Sequence, residues 1–206
     1  MEGYHGIDIS HWNRITDHRA VSDQCDFIIL KAGGHEKAMY KDKTFDKNYW
    51  TFNDLGVDLG CYYFVGSNFY GEDIGVNDAL HFIDLIDGKL FTYPVILDIE
   101  QTLPARKLEA TEATIAFCDT LEKYGYYAMI YASDISGFKE KLYINDLIRF
   151  DKWVARYGTE PKYVKDYGIW QCSSHGHING IDGNVDMDIS FRSYPKIIKR
   201  AGLNNL

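Results

Sequence analysis

The chain contains few cysteines and few prolines. Among its 206 residues there are 4 of each, and no two cysteines form a C-x-x-C pair. This spacing argues against a structural zinc site, which is typically built on such pairs. The cysteines could form two disulfides or remain free, and we expect free, buried thiols because they lie in or beside apolar segments of predicted strands and helices. They are Cys25, Cys61, Cys118 and Cys172.

The chain also lacks a long hydrophobic run. No apolar stretch reaches the length needed to cross a bilayer. No signal peptide is visible either, because the first predicted strand begins almost at Met1. A route of export therefore cannot be read from this sequence.

Low-complexity tracts, internal repeats and Pro/Gly/Ser-rich linkers are absent as well. With 206 residues, of which 46% are hydrophobic, the chain is long enough to bury a substantial core. We expect residues 1–206 to form a single domain, and we expect that domain to be a monomer.

Basic residues are outnumbered by acidic ones, 22 Lys and Arg against 30 Asp and Glu, which gives a formal net charge of −8 at pH 7. Nucleic-acid binding usually requires clustered Lys and Arg, so we expect no nucleic-acid partner. The one short basic run, Lys196–Arg200, is interrupted by two isoleucines. We predict a terminal amphipathic helix there, with its charged face in solvent.

The most informative segment that is present runs from Tyr93 to Glu100, with the sequence YPVILDIE. Its apolar residues are typical of a strand buried on both faces of a parallel sheet. Successive side chains of a strand point to opposite faces, so Asp98 and Glu100 share one face, with Cα atoms roughly 6.5–7 Å apart. Two crowded carboxyls cannot both ionise freely, and we expect one to have a raised pKa while the other stays charged.

Two further predicted strands also carry acids at their ends. Asp8 lies near the start of the chain, and Asp186 and Asp188 lie near its end. Strand ends from distant parts of a sequence meet at one mouth in a β/α barrel, so we expect these carboxyls to share a rim with Asp98 and Glu100. The alternative is that each acid caps a neighbouring helix or pairs with a buried Lys or Arg.

Hydrophobic periodicity predicts alternating strands and helices. The strands are Tyr4–Ile9, Phe27–Lys31, Leu59–Val65, Val95–Ile99, Tyr126–Tyr131, Lys152–Ala155, Tyr167–Cys172 and Val185–Ile189. Three helices end before Gly56, Gly88 and Gly125, with apolar faces at Phe45, Tyr49, Phe52 and Leu55, at Val76, Leu80, Ile83 and Ile86, and at Ala110, Ala113, Phe117, Leu121 and Tyr124. This alternation predicts βαβ units and a parallel sheet. Beyond Leu147 the connections are too short for full helices, so we predict an irregular, TIM-barrel-like α/β fold whose helices are missing or short in the C-terminal third.

The chain resembles the glycoside hydrolase family 25 lysozymes, which are N-acetylmuramidases of the Chalaropsis type. The opening motif Gly6-Ile7-Asp8-Ile9-Ser10-His11-Trp12 is similar to that of the family, and later segments follow in the family's order up to about Phe191. They are Ile29–Ala32, Gly60–Phe64, Pro94–Glu100, Ile130–Ser133, Trp153–Tyr157, Trp170–Ser174 and Gly183–Asp186. The resemblance implies a deformed β/α barrel that hydrolyses peptidoglycan glycan strands outside the cell or at the cell wall, without a cofactor.

The bond implied is the β-1,4 linkage between N-acetylmuramic acid and N-acetylglucosamine, cleaved by carboxyl chemistry. We assign Glu100 as general acid, because it closes its strand at the rim. Asp98 would supply negative charge or orient the 2-acetamido group of the substrate, which predicts retention of configuration. The resemblance marks Asp8 and Asp186 as the other acids, and the sequence leaves open which of them acts as nucleophile or as base.

Aromatic residues make up 15% of the chain, and their rings can pack on the apolar faces of sugars. Plain core packing is the alternative for each of them. Matched to the family's segments, the expected substrate-binding residues are Lys31, Tyr62, Phe64, Tyr131, Trp153, Arg156, Trp170 and Gln171. A structural ion pair is the alternative for Lys31.

Two segments depart from the family or stand outside it. After Lys31 and Ala32 most relatives place a hydroxyl residue and an acid, whereas this chain has Gly33-Gly34-His35-Glu36, which leaves the shape of that rim open. The pair His175 and His177 could ligate a metal, but we expect no metal site. An inactive glycan-binding module and a chitinase-like enzyme remain the alternative functions.

Overall fold

The computed structural model describes residues 3–206, and its central feature is a closed barrel of eight strands. Around the barrel the strands follow the order β1, β3, β5, β6, β7, β8, β9, β11, and β1 pairs with both β3 and β11 to close the ring. The strands, including three short ones outside the ring, are β1 (Tyr4–Ile9), β2 (Arg14–Ile15), β3 (Phe27–His35), β4 (Met39–Lys41), β5 (Asp58–Val65), β6 (Val95–Ile99), β7 (Ala128–Ser133), β8 (Asp151–Ala155), β9 (Ile169–Gly176), β10 (Ile181–Asp182) and β11 (Val185–Ser190). The predicted TIM-barrel-like fold is confirmed.

The prediction of an all-parallel sheet is wrong for the last strand. The neighbours from β1 through β9 are parallel, but β11 runs antiparallel to both β9 and β1. Consequently the N-terminal end of β11 lies at the same end of the barrel as the C-terminal ends of the other strands. The register pairs Asp8 with Asp186 directly.

The helices lie outside the barrel and cover mainly its first two thirds. They are α1 (His18–Ser22), α2 (Phe45–Asp54), α3 (Glu72–Ile86), α4 (Lys107–Lys123) and α5 (Tyr194–Ala201). Gly56, Gly88 and Gly125 follow three of them with φ between 70° and 84°, which is the left-handed conformation that ends helices. Between β7 and β8 the chain forms a π-helical turn at Asp134–Lys139 and a 3₁₀ turn at Ile144–Leu147. Beyond Leu147, no helix of the described residues lies between β8 and β9 or between β9 and β11, as predicted for the short connections there.

The predicted buried face of α3 is right for Ile86, which is buried, and for Ile83, which packs against the core, but wrong for Val76, which is exposed. The buried residues are Gly75, Asp78, Ala79, Phe82 and Ile86. A Cβ on Gly75 would lie 2.2 Å from the carbonyl oxygen of Ala113, so only glycine allows α3 and α4 to approach this closely. Asp78 is buried because it pairs with His35 at 2.7 Å. Asp78 and Gly75 lie on the buried face of α3 although neither is a large apolar residue. The spacing of the apolar residues alone therefore does not locate that face correctly.

Helix α5 closes the end of the barrel opposite the acids. Its buried residues Tyr194 and Ile198 pack with Phe27, Tyr93 and other aromatic and aliphatic side chains inside the barrel. The Tyr194 hydroxyl donates to Asp151 at the start of β8, 2.6 Å away. The predicted terminal amphipathic helix is therefore confirmed, and its apolar face has a structural task.

All four cysteines are free thiols, as expected from the sequence. Cys61 and Cys118 are buried, whereas Cys25 and Cys172 are partly exposed. None of the helices within residues 3–206 combines the length and apolarity that crossing a bilayer requires.

Candidate active site

Asp98 and Glu100 lie at the open end of the barrel, on and just beyond the end of β6. Both project inward, as the two-residue period predicts, and they lie close enough for each to shift the pKa of the other. Burial and the charge of Glu100 raise the pKa of Asp98 well above its usual range. Burial also raises the pKa of Glu100, while the charges of Lys141 and Lys31 oppose that rise.

We expected the pKa of one acid, Glu100, to be raised beside a charged Asp98, whereas the pKa values of both acids are raised, and that of Asp98 strongly. The physical reason is depth. Asp98 is only 5% exposed and is nearer the barrel core, where a charge costs more, and one of its oxygens accepts no hydrogen bond.

A second acid pair, Asp8 and Asp188, faces the first across the barrel interior. Burial raises the pKa of Asp8 to about 8, and the charge of Asp186 adds to the shift. Burial and the charge of Asp8 raise the pKa of Asp188 well above its usual range, while the hydrogen bond from Trp153 opposes that rise. Asp186 is less buried, and burial raises its pKa as well. The structure therefore brings all the acids expected at the rim into one electrostatically coupled group.

Gln171 connects Asp8 to two tyrosines. Its side-chain amide donates to Asp8 at 2.7 Å, and its carbonyl oxygen accepts from the hydroxyls of Tyr131 at 2.8 Å and Tyr157 at 3.1 Å. These three hydrogen bonds fix the Gln171 side chain, which in turn holds the Asp8 carboxyl in one orientation. Tyr131 is only 7% exposed, so its main contact is with this network. Tyr157 is a member that the sequence analysis missed.

Trp153 is not available to line a sugar subsite, which corrects the expectation from the sequence. It is 1% exposed, packs against Tyr131 with ring centroids 4.3 Å apart, and donates from Nε1 to Asp188 at 2.8 Å. Large aromatic rings in a closed barrel fill its interior, and the indole N–H here satisfies a buried carboxyl. Trp153 therefore holds the carboxyl of Asp188 in position from the interior of the barrel.

We predict that Trp153→Phe lowers the free energy of unfolding by about 2–4 kcal/mol, because it leaves a cavity and removes the N–H donor of a buried carboxyl. Urea unfolding measures this. Trp50→Phe is the control, because Trp50 is half exposed on α2 and its change should stay within about 0.5 kcal/mol. Unchanged stability of Trp153→Phe combined with weaker substrate binding would contradict the buried role.

Arg156 and Trp170 are also occupied by structural contacts. The Arg156 guanidinium pairs with the buried Asp134 at 3.0 Å, and its backbone carbonyl accepts from Trp170 Nε1 at 2.7 Å. Trp170 alternates with the inward Gln171 on β9, so it faces away from the barrel interior and is 4% exposed. Arg156 and Trp170 therefore anchor the loop that carries Tyr157, whereas the sequence analysis expected them to bind substrate.

Lys31, by contrast, faces the mouth without a carboxylate within 4 Å among the described residues. Its ammonium lies 4.4 Å from the ring centroid of Phe64 and 5.7 Å from that of Tyr62. Such rings stabilise a cation by their quadrupoles. Of the two alternatives left open for Lys31, the structure favours contact with a substrate over a structural ion pair.

A groove of about 440 Å³ runs out from Lys31 and Phe64 to the rim. Residues that the sequence analysis did not assign to the site form its other walls, namely His11, Trp12, Glu36 and Tyr40. Trp12 is 82% exposed and its ring lies 4.5 Å from that of His11. His11 is held in turn by Asp42, with Nδ1 2.6 Å from the carboxylate. Because His11 is held by Asp42 and packs against Trp12, the exposed indole of Trp12 has a fixed position in which it can pack against the face of a sugar ring.

The glycine insertion after Lys31 shapes this groove. The pairing of β3 with β5 skips Ala32, which forms a bulge, and β3 then continues to pair with β4. A Cβ on Gly33 would lie 2.2 Å from the carbonyl oxygen of Tyr40, and one on Gly34 would lie 2.5 Å from that of Phe64. The glycines are therefore needed for the close approach of the two strands that present Tyr40 and Phe64.

Lys141 is a further residue at the mouth that the sequence did not reveal. It lies after the π-helical turn and donates from Nζ to the backbone carbonyl of Glu100. Its position depends on the irregular segment between β7 and β8, which no periodic pattern predicts. Within residues 3–206 no group of three or more His, Cys, Asp or Glu side chains is arranged to hold a metal ion.

Comparison with known proteins bears on the sequence resemblance. The family model described as Glycosyl hydrolases family 25 matches residues 7–181. The autolytic lysozyme of Clostridium acetobutylicum is 27% identical over 186 residues, which cover 89% of this chain and 54% of that protein. The chain thus spans about half the length of that relative.

Solved structures with the same fold include the CTP1L endolysin, with a TM-score of 0.82 and 26% identity over 96% of this chain and 70% of that one. The modular autolysin LytC from Streptococcus pneumoniae, in complex with a synthetic peptidoglycan ligand, gives a TM-score of 0.76 and 25% identity over 92% of this chain and 47% of that one. Since the family model extends over most of the barrel and the fold agrees with these structures, the chain belongs to glycosyl hydrolases family 25, as its ordered motifs predict.

Proposed function

We propose that this chain is the catalytic domain of a peptidoglycan hydrolase that cleaves the β-1,4 bond between N-acetylmuramic acid and N-acetylglucosamine. The observation that carries the proposal is the Asp98–Glu100 pair, two neighbouring carboxyls with raised pKa values at the open end of the barrel. Glycoside hydrolysis requires such a pair. The printed names of the relatives, an autolytic lysozyme and an autolysin bound to a peptidoglycan ligand, support the substrate class.

In the first step the single proton of the pair moves from Asp98 to Glu100. The substrate's 2-acetamido N–H donates to Asp98, which stabilises Asp98 as the anion and leaves the proton on Glu100. Glu100 then protonates the glycosidic oxygen of the leaving N-acetylglucosamine. The acetamido carbonyl oxygen attacks the anomeric carbon as the glycosidic bond breaks, forming a cyclic oxazolinium whose N–H remains bonded to Asp98.

In the second step water attacks the anomeric carbon from the side that the leaving group vacated. The Glu100 carboxylate takes the proton of that water, so the enzyme returns to its starting state and configuration is retained. Asp186, in its charged form, stabilises the positive charge that develops on the sugar. Asp8 is held by the side-chain amide of Gln171, and it lies beside Asp188 in the same group of acids.

The groove supports the binding of an N-acetylated sugar chain. Trp12 offers an exposed ring, and Lys31 offers an ammonium with free hydrogen-bonding capacity beside Phe64. Sugars combine apolar C–H faces with hydroxyl and amide groups, which match these two kinds of surface. We propose that the domain acts on the cell wall outside the cytoplasm, and that residues 1–206 work as one monomeric domain.

We predict that Trp12→Ala raises KM for peptidoglycan about tenfold with little change in kcat, because losing one sugar-stacking surface removes about 1.4 kcal/mol of binding. Steady-state kinetics on soluble glycan fragments measure the change. Trp50→Ala is the matched control, since Trp50 is also exposed but lies on α2 away from the groove. Equal effects of the two variants would argue against a binding role for Trp12.

The experiment that tests the proposed function compares release of reducing ends from peptidoglycan and from chitin. We expect release from peptidoglycan only, with N-acetylmuramic acid at the new reducing end. Cleavage of chitin at a comparable rate would favour a chitinase-like enzyme, and binding to peptidoglycan without release would favour an inactive glycan-binding module.

A further inference from the structure

His175 lies beside the mouth because of an irregularity in the pairing of β9 with β11. Val185 pairs with Gly176 and Met187 pairs with Ser173, so two residues of β9 oppose the single residue Asp186. Such a β-bulge is common next to active sites, where it redirects side chains. The two opposing residues are Ser174 and His175.

The bulge is held by its own side chains. The backbone N–H of His175 donates to the hydroxyl of Ser173 at 3.1 Å, and Nδ1 of its ring is 3.0 Å from the hydroxyl of Ser174. The bulge places Ser174 and His175 opposite Asp186. The positive charge of the His175 ring lowers the pKa of the Asp186 carboxyl, against the effect of burial.

Other ionisable groups around Asp186 come from several elements, and they are acids or phenols. The charge of Asp186 raises the pKa of each of them, and none of them supplies a positive charge to Asp186. They are Asp8 on β1, Tyr62 on β5, Glu100 after β6, Tyr157 after β8, and Asp188 on β11. Against this surrounding, His175 is the side chain that favours the charged form of Asp186.

We propose that His175 is a positioning residue that keeps Asp186 ionised at acidic pH and so extends turnover to lower pH. The inference rests on the proposed function, in which the charged form of Asp186 stabilises the sugar cation. Histidine gains positive charge as the pH falls below neutral, which is the range where a buried carboxyl begins to take up a proton. The two groups thus compensate each other as the pH changes.

The kinetic test is the pH dependence of kcat/KM between pH 4 and 8. We expect His175→Gln to move the acidic limb upward by about 0.5 pH unit, which is about a threefold loss on that limb, with no change near pH 8. His175→Lys, which keeps a positive charge, should restore the wild-type limb. His177→Gln is the matched control, because His177 is also an exposed histidine of the same loop but lies beyond the bulge. The proposal would be overturned if the acidic limb stayed unchanged in His175→Gln or shifted equally in His177→Gln. It would also be overturned if His175→Lys did not restore the wild-type limb.

A second measurement does not depend on activity. The carboxyl-carbon resonance of Asp186 is followed by NMR as a function of pH in the wild-type protein, in His175→Gln and in His177→Gln. We expect the midpoint of Asp186 to rise in His175→Gln, because a positive neighbour is lost, and to stay constant in His177→Gln. An unchanged Asp186 midpoint in His175→Gln would remove the inference while leaving the proposed function intact. A raised midpoint in a protein that cleaves no peptidoglycan would remove the proposed function alone.

Discussion

Glu100→Gln is expected to lower peptidoglycan turnover by a factor of 10² or more, the usual contribution of a general acid. Glutamine has the size and hydrogen-bonding groups of the protonated acid but cannot transfer a proton. The backbone carbonyl of Glu100 still accepts from Lys141 in the variant, so the loop after β6 should keep its position. We therefore expect the KM of the residual activity, and the affinity for glycan fragments, to change little.

Glu109→Gln is the control for this substitution. Glu109 lies in the first turn of α4 and pairs with Arg106 at the surface, so its loss should leave turnover within about twofold of wild type. Turnover is measured as reducing ends released from purified peptidoglycan. If Glu100→Gln kept more than about a tenth of wild-type turnover, Glu100 would not be the acid.

Asp98→Asn is expected to lower turnover nearly as much, while the folded protein becomes no less stable at pH 7. Asparagine resembles a protonated aspartic acid in size and polarity, but it cannot become the anion that holds the substrate's acetamido N–H. The effect on stability follows from the raised pKa. The folded state holds the proton more tightly than the unfolded chain, so stability that is present at acidic pH is lost as the pH rises toward the folded-state pKa.

The stability part is measured by urea unfolding of the wild-type protein and Asp98→Asn at pH 4 and pH 7. We expect similar stability at pH 4 and equal or higher stability of the variant at pH 7. Asp78→Asn is the matched control, because Asp78 is another buried acid, with its pKa raised to about 6, that lies on α3 away from the mouth. Its turnover should stay within about threefold of wild type. Wild-type turnover in Asp98→Asn would contradict the assigned role.

The acid pair could be predicted from the sequence because it depends on one local rule. A strand alternates its faces, so two acids separated by one residue must point the same way. The pKa values of the two acids could not be predicted in this way. They depend on the depth of Asp98 in the barrel and on the charges of Lys31 and Lys141, which come from distant segments.

Asp186 shows that the direction of a strand could not be predicted from the sequence. Its motif placed it at the rim, but it reaches the rim because β11 runs antiparallel to its neighbours. Hydrophobic periodicity carries no information on strand direction. The same limit applies to Trp153, since an aromatic residue on the inward face of a strand can fill the core or face the groove. Only the closed barrel, in which Trp153 lies beneath Asp188, decides between the two.

Trp12 and Lys141 could not be found from periodicity at all. Trp12 belongs to the opening motif, but its exposure depends on the packing of His11 against Asp42, a residue 31 positions away. Lys141 depends on a π-helical turn that follows β7. Residues supplied by irregular segments have no spacing rule, so they emerge only when the tertiary structure is known.

The central claim is that the substrate's own acetamido group attacks the anomeric carbon, with Asp98 and Glu100 acting from one strand face. The most direct test is proton NMR of the reducing end formed in the first moments of peptidoglycan-fragment hydrolysis, before mutarotation. Two successive displacements predict that the β anomer appears first. An initial α anomer would contradict the account, because it requires direct attack by water, and Asp8 or Asp186 would then be the general base.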